Sequence, residues 1–302
     1  MGIGKYIKEI GRGREGARSL SREQATDLFG QVLDGEVTDL EIGAFCLAMR
    51  IKGETADEMA GFLDATHARL SRVPDNGGKP IIVIPSYNGA RKLPALTPLL
   101  ALLLAREGLP VLVHGTATES TRVYTSSILA ALSIKAWNAV DAIADADVAF
   151  APTSLLCPGL QRLLDVRRVV NLRNSAHSVV KLMNPCMGKS LLLSSYTHPE
   201  YAVSMAATFE LMQINAVLLR GTEGESVADA RRMPQMDGFV RGQKLLLQEA
   251  QSGTLPLLPD LPKEFDANTT ATYIRSVMAG TSAVPSSIAK QVEHILRLSE
   301  RL

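Results

Sequence analysis

Residues suited to chemistry are concentrated in the stretch IVIPSYNGARK, positions 82 to 92. An apolar run ends there in a loop that carries Asn88 and Gly89, followed by Arg91 and Lys92. An Asn-Gly turn can point successive amides at one anion, and two adjacent cations before a helix suit a phosphate group. Ordinary turn chemistry accounts for Asn-Gly equally well, but not for the cation pair at the end of an apolar run. A second candidate is GTEGE, where Glu223 and Glu225 follow another apolar run. Two carboxylates at such a point can hold Mg²⁺ through oxygen, or can form a solvated loop or an ion pair with Arg220.

Two basic clusters add phosphate-binding candidates. Near the N-terminus Lys5, Lys8, Arg12, Arg14, Arg18 and Arg22 outnumber Glu9 and Glu15 by four. Farther on, Arg162, Arg167, Arg168, Arg173 and Lys181 are relieved only by Asp165. Arginines bind phosphate through paired N–H donors, yet they also lace helix surfaces with ion pairs. The segment GRGREG, positions 11 to 16, matches the glycine spacing of a dinucleotide loop but follows the helix-like KYIKEI instead of a strand. It reads as a helix end and turn. His114, His177 and His198 have no metal-binding spacing, and no serine elbow or Walker loop is present.

These residues need elements to hold them. Ser21 with Gln24, Thr38 with Glu41 and Thr55 with Glu58 form capping-box pairs that start three helices. Ala25, Leu28, Phe29, Val32 and Leu33 recur on one helical face, and Gly35 and Gly53 stand at expected helix ends. Residues 1–72 are therefore expected to form a helical domain. From Lys79 onward IIVIP, PVLVHG, VAFAP, SLLLSS and AVLLRG are short, wholly apolar runs separated by helix-length segments. That rhythm predicts an α/β domain over 73–302 with a mainly parallel sheet covered on both faces. RVYTSSILAAL, GLQRLLDVRRVV and YAVSMAATFELM are expected to be its crossover helices, while part of 172–188 offers a return to the helical domain. Ligands of such sheets sit at the carboxyl ends of the strands, which places the loops after Pro85, His114, Pro152 and Arg220 around one cleft. Residues 252 to 268 are expected to wrap the surface before a last helical pair.

Composition narrows the class. The 302 residues carry 32 Lys and Arg against 31 Asp and Glu, so binding to a polyanion has to rest on a local patch. Cys46, Cys157 and Cys186 lie far apart without metal spacing, which favours a reducing cytoplasm. The most apolar stretch, LTPLLALLLA, is too short to cross a bilayer.

The order of elements and the loop positions resemble the anthranilate phosphoribosyltransferase superfamily, which implies a nucleoside phosphorylase-like architecture. Its enzymes have a G-T-G-G-D loop after the first strand, where this chain has Ser86, Tyr87, Asn88, Gly89 and Ala90. The next loop, K-H-G-N-R in those enzymes, is here Val113, His114, Gly115, Thr116 and Ala117. Arg167 stands where the resemblance puts an anthranilate-contacting arginine, and only Glu225 and Ser226 answer to the magnesium-binding Asp-Glu pair. IKEIGRGREGAR, MRIKGE, VIPSYNGARK, LRNSAH, THPEY and GTEGE resemble more closely a divergent, YbiB-type branch that binds nucleic acid.

That resemblance implies a homodimer through the helical domain and sequence-independent binding of single- or double-stranded nucleic acid, without transferase activity. Lys5, Lys8, Arg12, Arg14, Asn88, Arg91, Lys92, Arg167, Arg168 and Arg173 are the phosphate-binding candidates. No catalytic residue and no cofactor is expected. A phosphoribosyl- or other glycosyltransferase with an unknown acceptor is the alternative, and only then would Mg²⁺ enter.

Overall fold

The computed structural model describes residues 2–13 and 15–302. In chain order the first helices are α1 (Gly4–Ile10), α2 (Arg22–Asp34), α3 (Asp39–Lys52) and α4 (Ala56–His67). Strands and helices then alternate as β1 (Ile81–Pro85), α5 (Thr97–Arg106), β2 (Val111–Gly115), α6 (Thr125–Ala131) and β3 (Val148–Pro152). Three helices follow, α7 (Thr153–Leu156), α8 (Pro158–Val170) and α9 (Ala176–Leu182). The chain continues through β4 (Ser190–Tyr196), α10 (Pro199–Leu211), β5 (Ala216–Arg220), β6 (Met236–Val240) and β7 (Gln243–Gln248), and closes with α11 (Ala267–Met278) and α12 (Ser286–Ser299).

These elements form two compact units, Met1–Ser71 with Thr153–Pro185, and Arg72–Pro152 with Cys186–Leu302. In the helical unit all three capping boxes form, with Ser21, Thr38 and Thr55 each accepting the amide three residues on. Its centre is aromatic. Phe29 stacks on Phe62 at 4.6 Å, and Phe45 meets both rings edge-on at 6.2 and 5.9 Å. The segment GLQRLLDVRRVV is not a crossover helix on the sheet. It is α8, whose buried Leu160, Leu163 and Leu164 pack within the helical unit, where Arg162 donates to the Leu33 carbonyl at the end of α2. Apolar periodicity marks a helix as amphipathic without saying which surface covers it, so this assignment was beyond the sequence.

The second unit holds a seven-stranded sheet in the order β3-β2-β1-β4-β5-β6-β7. The first five strands of that order are parallel, as their unbroken apolar runs require, and β1 to β4 are entirely buried apart from the partly exposed ends of β3 and β4. The antiparallel pair β6 and β7 is an addition that the apolar runs did not announce. Its turn is Arg241-Gly242, both with positive φ, a weaker sequence signal than Asn-Gly. The sheet order runs outward from β1 on both sides. The chain reverses direction between β1 and β4, the point where open α/β sheets place their ligand crevice.

Candidate functional site

At the carboxyl end of β1, one wall of the expected crevice, the loop amides are met by carboxylates of the chain itself. Glu225, on the loop after β5, is 2% exposed. Its Oε1 accepts the amides of Asn88 at 2.7 Å and Gly89 at 2.8 Å. Its Oε2 accepts the hydroxyl of Ser86 in a short bond and that of Thr97, at the start of α5, at 3.4 Å. Ser86 Oγ also lies 2.7 Å from Thr125 Oγ1, which ties the start of α6 to the same cluster. Gly89 has φ +69, the left-handed conformation that turns two successive amides toward one oxygen.

Glu223 does the same for the second half of the loop. Its Oε2 accepts the amides of Arg91, Lys92 and Leu93 at 2.9, 3.2 and 3.3 Å. The remaining amide, that of Ala90, donates to the Val123 carbonyl at 2.7 Å. Every backbone amide from Asn88 to Leu93 therefore has an acceptor inside the protein. The crevice beside Glu223 and Glu225 measures about 10 Å³, room for one water at most.

Neighbouring loops seal the arrangement. Arg122 bridges Glu119 at 2.8 Å and the Asn88 carbonyl at 3.2 Å. Tyr124 accepts the amides of Thr118 and Glu119 at 3.0 and 2.6 Å, which folds the loop after β2 against the loop after β1. Ser195 from β4 donates to the Gly224 carbonyl at 2.8 Å, and Gln291 from α12 donates to the Ser226 carbonyl at 2.9 Å. Thus the residues on both sides of Glu225 are anchored. None of Thr97, Arg122, Tyr124, Ser195 or Gln291 was a sequence candidate. Ser195 lies near the carboxyl end of a strand and had a positional signal. Gln291 is fully buried in α12, far along the chain from the loop it anchors, and had none.

The fit of a metal can be judged from these donors. The Glu225 oxygens point at two amides and two hydroxyls, and the bonded Glu223 oxygen points at three amides. Surfaces of N–H donors repel a cation, so Glu225 Oε1 and Glu223 Oε2, as arranged, are not disposed to hold Mg²⁺. Among the described residues no group of three or more His, Cys, Asp or Glu is disposed to hold a metal.

The other candidates separate by unit. Asn88 is 1% exposed, with its amide committed to Glu225, so it does not face an outside phosphate. Arg91 and Lys92 lie on the same loop with exposed side chains. In the helical unit Lys5 lies 3.7 Å from Asp27 and over the Tyr6 ring, while Arg12 pairs with Glu9 at 2.7 Å. Lys8 is exposed, and Arg14 lies outside the described residues. Arg168 pairs with Asp165 at 3.1 Å. Burial, reinforced by the charges of Arg173, Arg167 and Lys181, pushes the His177 pKa down to about 3. GRGREG begins at the end of α1, where the Gly11 amide donates to the Ile7 carbonyl, and among the described residues no strand precedes it.

Comparison with known proteins agrees with this architecture. Residues 5–69 match the glycosyl transferase family helical bundle domain. The uncharacterized Escherichia coli K12 protein YbiB is 41% identical over 97% of this chain and 92% of its own. Anthranilate phosphoribosyltransferase of Idiomarina loihiensis is 26% identical over 93% of this chain and 86% of its own. Among solved structures, anthranilate phosphoribosyltransferase from Thermus thermophilus superposes with a TM-score of 0.71 at 20% identity, covering 96% of this chain and 85% of the enzyme. The Saccharomyces cerevisiae enzyme in complex with PRPP and Mg gives 0.70 at 13% identity, covering 99% and 88%. The chain belongs to the anthranilate phosphoribosyltransferase-like superfamily, in its YbiB-type branch.

Proposed function

We propose that the protein is a homodimer that binds nucleic acid without regard to sequence, on an anthranilate phosphoribosyltransferase-like scaffold that lacks that activity. The observation carrying this reading is the division of labour in the loop after β1. Its amides are spent on Glu223 and Glu225, so only the exposed side chains of Arg91 and Lys92 are left to meet an anion. Cations on flexible stems suit the spaced phosphates of a polymer and carry no base-reading geometry. A diphosphate held against the backbone would need the amides that the carboxylates already occupy.

Pairing of two chains is supported by the helical unit. Ile7, Ile10, Ala44, Leu47, Ala48 and Ile51 line a groove of about 280 Å³ between α1 and α3. Leu47 and Ile51 are 52% and 60% exposed there, and an apolar strip of this kind favours a self-complementary partner. Pairing would place two copies of the exposed Lys8 on one particle, a local positive field within a near-neutral net charge. The three cysteines are buried thiols not joined in a disulfide, which fits the reducing cytoplasm. No cofactor enters the reading, and nucleic acid phosphate is the partner besides a second copy of the chain.

The test is titration of labelled single-stranded and duplex oligonucleotides across a salt series, with Arg91→Ala/Lys92→Ala beside the parent. If each side chain neutralises one phosphate, the slope of log affinity against log salt flattens by about 0.7 per contact on single strands and about 0.9 on duplex. Affinity should fall alike for unrelated sequences. Salt-insensitive binding, or a folded double variant that binds like the parent, would sink the assignment. Turnover of phosphoribosyl diphosphate with any acceptor would replace it with the transferase reading.

A further inference from the structure

We propose that Glu225 is a built-in ligand: its carboxylate occupies an oxyanion cradle made by the amides of Asn88 and Gly89 and the hydroxyls of Ser86 and Thr97, and so keeps that cradle closed to phosphate. These donors converge on the two oxygens of one group. Such convergence of neutral donors is how proteins hold small oxyanions, whether carboxylate or phosphate.

Two features separate a seated ligand from a side chain that merely found partners. First, the loop backbone is shaped for the anion. Gly89 takes φ +69, and the next amide, that of Ala90, turns away to Val123. Second, the segment delivering the carboxylate is pinned on both sides by Ser195 and Gln291, and Gly224 lets it approach closely. A Cβ at Gly224 would lie 2.0 Å from Asn88 Nδ2. The cradle and its occupant are thus separate pieces of chain, each fixed by its own contacts. Removing the occupant should leave the receptor standing. This inference is independent of whether a polymer binds at Arg91 and Lys92.

The experiment compares parent, Glu225→Ala and Glu225→Gln by thermal unfolding in acetate, in phosphate and in chloride of matched ionic strength, and follows the Asn88 and Gly89 amide resonances. Glu225→Ala should melt below the parent and regain stability saturably with acetate or phosphate, but not with chloride. The same two amides should shift as the anion fills, while those of the parent stay still. Glu225→Gln retains the shape but not the charge. It should expose the Asn88 and Gly89 amides to faster hydrogen exchange without gaining anion affinity, because the amide group still blocks the space. A folded Glu225→Ala that gains nothing from either anion overturns the proposal, as does a parent whose Asn88 and Gly89 amides respond to phosphate. Should Glu225→Ala fail to fold in every buffer, unchanged exchange at those amides in Glu225→Gln overturns it, and faster exchange supports it.

Discussion

Glu225 and Gly89 stand 136 positions apart in the chain, yet the carboxylate of one accepts the amide of the other at 2.8 Å. The contact bridges the loops after β5 and β1 across the end of β4, where the chain reverses direction in the sheet. Glu223 makes a parallel bridge to the amides of residues 91 to 93. A loop that reads as an anion receptor is consequently furnished with anions from its own chain. The consequences can be measured.

Replacement of Glu223 by Ala should be mild. Three amides lose their acceptor, but Glu223 is only half-buried, so water takes the vacated place. We expect about 1 kcal/mol of lost stability in urea unfolding. Hydrogen exchange should quicken at Arg91, Lys92 and Leu93 and stay unchanged at Asn88. Faster exchange across the whole loop would mean that the two carboxylates act as one latch.

Gly224→Ala should be severe. Its φ of +87 disfavours any side chain, and the new Cβ would sit 2.0 Å from Asn88 Nδ2 and 3.2 Å from Thr197 Cγ2. Backbone strain and overpacking together cost about 2–4 kcal/mol. A Tm within a degree or so of the parent would show that the loop has slack that its contacts do not reveal.

Helical-unit stability should depend on pH through His177. Burial and the nearby cations keep the folded imidazole neutral down to about pH 3, against an ordinary value of 6.5. The unfolded chain therefore binds a proton that the folded one refuses, and stability present above pH 6.5 is lost as pH falls toward 3. The slope approaches about 1.4 kcal/mol per pH unit within that window. Measured between about pH 6.5 and 5, where Glu54, its pKa raised by burial, contributes equally in both proteins, the slope should flatten in His177→Gln. An identical slope in both proteins would place the proton elsewhere.

Leu47→Glu should separate the proposed dimer. The side chain is 52% exposed on α3, beside Ile51, so a charge there costs the isolated chain little. In a paired apolar groove it would be desolvated without a partner, at a cost of several kcal/mol. Light scattering should give the mass of one chain for the variant and of two for the parent. A parent of single-chain mass at micromolar concentration would remove this part of the proposal.

What the sequence determined by itself is local. Ser21, Thr38 and Thr55 announce helix starts because their oxygens satisfy amides three residues away, and the structure contains all three caps. The apolar runs from IIVIP to AVLLRG announce buried parallel strands because a strand covered on both faces has no polar side to show. The positions of Arg91 and Lys92 at a strand's carboxyl end follow from the same rhythm. Tertiary structure decided what those elements face. It placed α8 against α2 instead of on the sheet, since an amphipathic helix encodes a need for cover and not the identity of the cover. It also turned Glu223 and Glu225 from metal candidates into acceptors for the loop after β1. Nothing in GTEGE specifies that outcome, because the direction of a carboxylate depends on which donors the sheet order brings to it, and those donors lie more than a hundred residues away.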